Sequence, residues 1–392
     1  MLAFVIRDQT MEKMTLLATA AAGLEAIVGR EIREMGYTCH VENGRVRFSG
    51  TPQDIFRCNV WLRAADRIKI EVGRFPAKNF EELFQGVQAL PWESYLPLGG
   101  QFPITKAKSV KSVLHHEPTI QAMTKKAVAS RLQAAYSRPR SVFLPETGAV
   151  FPIEVSVVKD EVSLLIDTSG SSLFKRGYRS DKGVAPIKEN MAAAIVMLSN
   201  WYPDKPLIDP VCGSGTFCIE AAMLALNRAP GLERSFVCEE WDWMDKIAMS
   251  AIRQEARSAI KPVIELDISG SDIDPKMIDL AKANAQKAGV SEYINFKQMR
   301  LQDLYTDKRN GVIIANPPYG ERLSTDEAIK MLYQEMGDVM RPLETWSKFI
   351  LTSDDTFEGH FGQRADKKRK LYNGALRVDL YQFFGKRITN EG

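Results

Sequence analysis

The chain has 392 residues, 45% of them hydrophobic and 26% charged, with a formal net charge of +3. That length predicts two or three domains of about 100 to 200 residues each, and so small a net charge does not by itself imply a polyanionic partner. No apolar run approaches the roughly 18 residues that would span a bilayer, which argues against a membrane protein. Five cysteines (Cys39, Cys58, Cys212, Cys218, Cys238) contain no C-x-x-C pair, and four histidines, including the adjacent His115 and His116, offer no zinc spacing. Reduced cytoplasm and no metal are the expectation.

Residues 1–14 lack the apolar core and cleavage site of a signal peptide and read as an extension ahead of the fold. Residues 15–75 read as one module, with a strand at 16–19, an amphipathic helix at 23–32, a strand with a turn at 41–48 and a strand region at 60–75. This β-α-β-β order resembles a ferredoxin-like module. Residues 76–170 read as a second α+β unit, with helices at 80–90 and 119–136 and strands at 102–107, 151–158 and 161–168. Within it, residues 101–140 hold eight cations (Lys106, Lys108, Lys111, Lys125, Lys126, Arg131, Arg138, Arg140) against one acid, Glu117. Clustered cations beside a catalytic domain are the footprint of a phosphate backbone, so Lys106, Lys108, Lys111, Lys125, Lys126 and Arg131 are candidate nucleic-acid contacts.

Residues 171–392 carry the chemistry. Leu207-Ile208-Asp209-Pro210-Val211-Cys212-Gly213-Ser214-Gly215-Thr216 is a short strand turning through glycines into an apolar helix at 217–226. A dinucleotide fingerprint would need a third glycine where Cys218 stands, and Asp209 at the strand end would repel a pyrophosphate. A carboxylate there favours a cation, and S-adenosylmethionine carries an ammonium and a sulfonium. Gly213 and Gly215 let the backbone approach such a ligand closely.

An apolar stretch at 263–268 leads to Gly270-Ser271-Asp272-Ile273-Asp274-Pro275, where Asp272 is placed to accept ribose hydroxyls and Ile273 to lie on the adenine face. Asp272 lies 63 positions after Asp209, well beyond the roughly 20 of a simple βαβ unit, so residues 227–261 read as an insertion with its own aromatics, Phe236, Trp241 and Trp243. Asp303 is placed to reach the adenine amino group.

The buried-strand run 311–315 ends in Asn316-Pro317-Pro318-Tyr319. The prolines stiffen the turn so that the Asn316 side-chain oxygen and the Pro317 carbonyl form a fixed acceptor pair, suited to both hydrogens of an exocyclic amine. Tyr319 offers a stacking face worth roughly 1 to 3 kcal/mol per base. A fifth strand at 348–352, a solvated turn at Lys367-Lys368-Arg369-Lys370 and an Asn373-Gly374 hairpin running to 384 complete the pattern. The closing antiparallel pair separates it from an all-parallel dinucleotide fold.

With these motifs in hand, residues 171–392 resemble the class I S-adenosylmethionine-dependent methyltransferases of the NPPY type. The chain from residue 15 resembles the THUMP-domain RNA methyltransferases, in particular the bacterial 23S rRNA guanine-N2 methyltransferases, and the unit at 76–170 is what resembles THUMP. The resemblance rests on residues 209–216, 270–274 and 316–319, and on Arg176-Gly177-Tyr178-Arg179 with Ala185-Pro186-Ile187-Lys188-Glu189-Asn190. It implies an α/β Rossmann-like domain with a mixed seven-stranded sheet, preceded by an α+β ferredoxin-like and THUMP region that binds RNA. It implies S-adenosylmethionine as cofactor, held by Asp209, Pro210, Cys212, Gly213, Ser214, Gly215, Thr216, Asp272, Ile273, Asp274, Asp303 and Asn316. Asn316, Pro317, Pro318 and Tyr319 form the catalytic turn, and the product is an N2-methylated guanine of 23S rRNA. The NPPY turn is shared with adenine-N6 methyltransferases acting on DNA or RNA, so that alternative stays open, as do a non-catalytic RNA-binding protein on the same fold and a nicotinamide-dependent oxidoreductase.

Overall fold

The computed structural model describes residues 13–139, 141–179, 187–262, 265–318, 326–374 and 376–386. Its first half runs β1 (Met14–Thr19), α1 (Glu25–Glu34), β2 (Cys39–Glu42), β3 (Arg45–Gly50), α2 (Pro52–Trp61), β4 (Arg67–Pro76), α3 (Phe80–Ala89), β5 (Ile104–Val110), α4 (Glu117–Ala135), β6 (Ile153–Val158) and β7 (Glu161–Asp167). These seven strands make one sheet in the order β2-β3-β1-β4-β7-β6-β5. The ten-residue β4 joins its two parts, pairing with β1 through Arg67–Ile70 and with β7 as far as Pro76. The expected boundary at 75/76 therefore falls at the end of a strand common to both modules.

The strand region expected at 60–75 is corrected here. Val60 belongs to α2, which begins at a capping box in which Asp54 accepts from the Thr51 N–H at 2.7 Å, with Pro52 in the first turn. Thr51-Pro52-Gln53-Asp54 is a helix start by its own chemistry, and with it the first module gains a second helix.

The second half runs α5 (Glu189–Leu198), β8 (Leu207–Asp209), α6 (Thr216–Ala225), α7 (Lys246–Ser258), β9 (Ile268–Asp272), α8 (Pro275–Ala288), β10 (Ile294–Gln298), β11 (Val312–Ala315), α9 (Asp326–Met340), β12 (Ser347–Thr352), α10 (Phe357–Phe361), β13 (Lys367–Asn373) and β14 (Leu376–Phe383). Its sheet has the order β10-β9-β8-β11-β12-β14-β13, parallel from β10 to β12, with β14 antiparallel to β12 and to β13. The chain moves outward from β8 in both directions, to β9 on one side and β11 on the other. That is a topological switch point, where open α/β sheets bind ligands beyond the carboxyl ends of their strands.

Three expectations change in detail. The strand expected at 263–268 begins at Ile268, because Gly270 and Ser271 are inside the sheet, and a Cβ on Gly270 would lie 2.7 Å from the Phe296 ring; residues 263–264 lie outside the described residues. Lys367-Lys368-Arg369-Lys370 is part of β13, not a turn: Lys368 Nζ donates to the Tyr381 hydroxyl at 2.7 Å and Arg369 Nη1 to the Gly23 carbonyl at 3.0 Å. The hairpin register pairs Asn373 with Leu376, so Asn373 belongs to β13 and Gly374 follows the strand.

The insertion at 227–261 braces the two halves. Trp241 Nε1 donates to Val150 O and Trp243 Nε1 to Tyr95 O, both at 2.9 Å, and Trp241 stacks on Phe151 with ring centroids 4.7 Å apart. Arg57 on α2 pairs with Glu255 on α7 at 2.6 Å. One continuous buried cluster contains Leu16, Phe56, Phe151, Trp241, Phe217 and Leu380, so both halves share a core. Among the described residues no helix is long and apolar enough to cross a membrane.

Candidate active site

Three strand ends meet beside the glycine turn. Asp209 ends β8 opposite Gly270 of β9, and Asp272 ends β9. The loop after β8 is pinned residue by residue: the Cys212 N–H donates to Ser271 O at 2.8 Å, the Gly213 N–H to Asp272 Oδ2 at 3.0 Å, and Asn284 Nδ2 on α8 donates to Ser214 O at 3.1 Å. Arg179 Nη2 donates to Thr216 Oγ1 at 2.6 Å. The sequence motifs do not reveal Asn284, and they include Arg179 in the Arg176-Gly177-Tyr178-Arg179 run without indicating what it touches. Each reaches the loop from a distant part of the chain.

Gly213 and Gly215 differ in what surrounds them. Gly213 has φ +50 and a Cβ placed there would meet nothing within 4 Å, whereas Gly215 has φ +80 and its Cβ would lie 2.7 Å from Phe296 and 3.0 Å from Ala281. Gly213 borders open space; Gly215 packs α6 against β10 and α8.

Asp209 is 1% exposed and accepts from the Val211 N–H at 3.3 Å. Burial, helped by the nearby Asp272 charge, pushes its carboxyl well above the ordinary aspartate value. Burial likewise raises the Cys212 and Cys218 thiols, which keeps both protonated. The Cys212 side chain is thus inert and its backbone does the holding. Asp272 Oδ1 accepts from the Asp274 N–H at 2.9 Å, and Asp274 caps α8 through Lys276 N at 2.9 Å. Next to them Ile273 is 64% exposed, an apolar side chain left uncovered at the edge of the loop. Asp303 closes a short 3-10 turn after β10 and is exposed.

Asn316 follows β11, whose Val312 and Ile313 pair with Leu207 and Ile208 of β8, which places the Asn-Pro-Pro turn next to Asp209 at the same sheet edge. Its Oδ1 is buried and accepts no hydrogen bond from the described residues. A buried acceptor without a donor costs about 1 to 3 kcal/mol, so this oxygen is available for a ligand N–H. Pro317 is buried and Pro318 half-buried; Tyr319 lies outside the described residues, as do Ala185 and Pro186.

The candidate nucleic-acid residues sit on the other sheet. Lys106 and Lys108 project from the edge strand β5 with Ala107 buried between them, and Lys111 follows. Lys125 is paired with Glu146 at 2.6 Å and lies 3.4 Å from the Phe102 ring centroid, and Arg131 donates through Nε to Glu93 at 2.9 Å. Lys126 lies 6.0 Å from the Phe84 ring centroid. Arg140 is outside the described residues.

The open side of Gly213, the exposed Ile273, the buried carboxyl of Asp209 and the donor-free Asn316 oxygen together fit S-adenosylmethionine. Comparison with known proteins agrees. The family described as "RMKL-like, methyltransferase domain" matches residues 176–382, the "RlmL ferredoxin-like domain" residues 15–69, and the THUMP domain residues 77–167. The chain is 47% identical to "Putative RNA methyltransferase YpsC" of Bacillus subtilis strain 168, over 96% of this chain and 97% of that protein. It is 33% identical to "Ribosomal RNA large subunit methyltransferase K/L" of Syntrophotalea carbinolica over 93% of this chain and 53% of that protein, so it spans about half of that relative. The crystal structure of SMU.472 complexed with SAH is 60% identical and superposes with a TM-score of 0.92, covering 96% of this chain and 100% of that one. The chain therefore belongs to the RMKL-like family of methyltransferases, with S-adenosylmethionine as its cofactor.

Proposed function

We propose that this protein methylates the exocyclic N2 amine of a guanine in 23S rRNA, in the cytoplasm. The observation that carries the reading is the buried, donor-free Oδ1 of Asn316 beside the glycine loop. An exocyclic amine is conjugated with its ring and is a weak nucleophile. By accepting its hydrogens, Asn316 Oδ1 and the Pro317 carbonyl turn the nitrogen lone pair out of the ring plane and toward the reacting methyl. S-adenosylmethionine supplies that methyl on a sulfonium. Pro318 and Tyr319 hold the base after it has left its helix. No strong general base is required, since the nitrogen loses its proton after it has become cationic.

RNA as the substrate is supported by the THUMP match, by the name of the ribosomal RNA relative and by the exposed lysines of β5. Guanine-N2 rather than adenine-N6 rests on the family resemblance, because the same acceptor pair serves either amine. The decisive experiment is mass spectrometry of nuclease-digested 23S rRNA from a strain lacking this chain. One N2-methylguanosine should disappear and return on complementation. Loss of an N6-methyladenosine instead, or an unchanged modification profile, would overturn the assignment.

A further inference from the structure

Arg176-Gly177-Tyr178-Arg179 lies between the two halves and belongs to neither the glycine loop nor the Asn-Pro-Pro turn. Arg176 is buried and faces the first half: Nη2 donates to the carbonyl of Arg63, just beyond α2, and Nη1 to Leu173 O at 2.7 Å. Its Nε lies 3.5 Å from Glu220 Oε1, and the Tyr178 hydroxyl donates to the same oxygen at 3.1 Å. Arg179 faces the second half: besides Thr216 Oγ1, its Nη2 donates to Ile187 O at 3.2 Å, and its Nη1 lies 3.5 Å from Glu189 Oε2.

The two targets, Thr216 and Glu220, are four residues apart on α6 and so lie on one face of that helix. Thr216 is also the last residue of the cofactor loop. The strap thus grips the helix that starts at the loop, while its other end is fixed to the first half.

The grip is buried. Among the described residues Arg176 Nε, Arg179 Nε, Glu189 Oε2 and Glu220 Oε2 have no hydrogen-bond partner, and their charges are met by the ion pairs just described within a small buried cluster that also takes in Arg63, close to Glu220, and Glu31, close to Arg176. Removing one partner puts the charge of this buried cluster out of balance, which the surrounding elements must move to relieve.

We propose that Arg179 is a positioning residue for the cofactor loop, and that Arg176 and Tyr178 tie its grip to the first half, so that docking of the amino-terminal arm sets the affinity for S-adenosylmethionine. This rests on the cofactor lying against the glycine loop and not on which base is methylated. It is therefore tested without nucleic acid, by calorimetric titration of the full chain with S-adenosylhomocysteine.

Arg179→Met should weaken binding by about tenfold or more, the scale of a lost charged hydrogen bond, and Thr216→Val should weaken it less. The double variant should bind no more weakly than Arg179→Met alone, since both remove the same contact. Arg179→Lys, which keeps the charge but cannot span Thr216 and Ile187 O together, should fall between Arg179→Met and the parent. Arg176→Met, which touches no loop residue, should also weaken binding, whereas Arg57→Ala, at the exposed seam pair with Glu255, should not. Parent-like affinity in folded Arg179→Met, or losses that multiply in the double variant, would overturn the proposal. If Arg179→Met does not fold, parent-like affinity in Arg179→Lys overturns it equally.

Discussion

The two seven-stranded sheets offer different parts of their strands to a partner. In the carboxyl-terminal sheet parallel strands stop at a common edge, so Asp209, Asp272 and Asn316 are presented as strand ends that converge on one small volume. In the amino-terminal sheet the last strand, β5, is presented along its flank, with Lys106 and Lys108 on one face. Converging ends suit a compact ligand that must be oriented at one atom. A flank suits an extended, repetitive one such as a phosphate backbone, where each contact adds a similar increment. Changes at strand ends should accordingly be steep and specific, and changes along the flank shallow and additive.

The steepest effect is expected at Asn316. Asn316→Ala should lower single-turnover methylation by at least about a hundredfold, the scale of a lost polar catalytic contact, while affinities for S-adenosylhomocysteine and RNA stay within a few-fold. The oxygen orients the lone pair of the amine, a property of the transition state more than of ground-state binding. Near-parent single-turnover rates would reduce the Asn-Pro-Pro turn to a stiff loop.

Next come the two glycines, which separate ligand contact from packing within one turn. Gly213→Val points its side chain into open space and should abolish measurable S-adenosylhomocysteine binding while the melting temperature falls only modestly. Gly215→Ala meets Phe296 and Ala281 at a left-handed φ and should cost about 2 kcal/mol of stability in denaturant unfolding. The reverse pattern would exchange the roles assigned to the two positions.

Asp209 gives a smaller effect with a sign that depends on pH. An unfolded aspartate titrates near 3.8, and burial holds Asp209 well above that. Its protonated form is the one the fold favours, so the contribution to stability is complete below 3.8 and is lost as pH climbs toward the folded value. Asparagine stays neutral throughout. Asp209→Asn without ligand should melt above the parent at neutral pH, with the gap closing toward pH 4, yet bind S-adenosylhomocysteine about tenfold more weakly. Equal melting curves at pH 4 and pH 8 would show that burial is not straining the carboxyl.

The same contrast explains what could be read from the sequence. The glycine loop, the Asp272 turn and the Asn-Pro-Pro turn are contiguous runs whose chemistry is local, and their strands and helices follow from short apolar segments next to them. Asn284 was not legible, and Arg179 was legible only as a member of the Arg176-Gly177-Tyr178-Arg179 run and not for what it holds, because each acts on a backbone or hydroxyl partner on another element, 70 and 37 positions away. The strap ion pairs and the tryptophan brace are of this kind too. Counting charges in a window failed in a related way: Glu146 and Glu93, which neutralise Lys125 and Arg131, stand just outside residues 101–140. Helix α2 is hidden differently: its start is a local capping box, but only its last two residues, Val60 and Trp61, fall within the strand region expected at 60–75.

The smallest predicted effects lie along the flank, and they test whether β5 faces RNA at all. Lysines on an edge strand have a second use, which is to keep that edge from pairing with another sheet, so exposure alone does not assign them. Neutralising Lys106, Lys108 or Lys111 singly to Gln should weaken RNA binding by only a few-fold at moderate salt, but each should make the slope of log affinity against log salt shallower by about 0.7, one released counterion. Lys125→Gln and Arg131→Gln should leave that slope unchanged, because their charges are already met by Glu146 and Glu93, and should instead lower the melting temperature slightly. If all five substitutions change the slope alike, the internal ion pairs open when RNA binds and the docking face extends from β5 onto α4. If none does, β5 is an edge defended against aggregation and the backbone is held elsewhere.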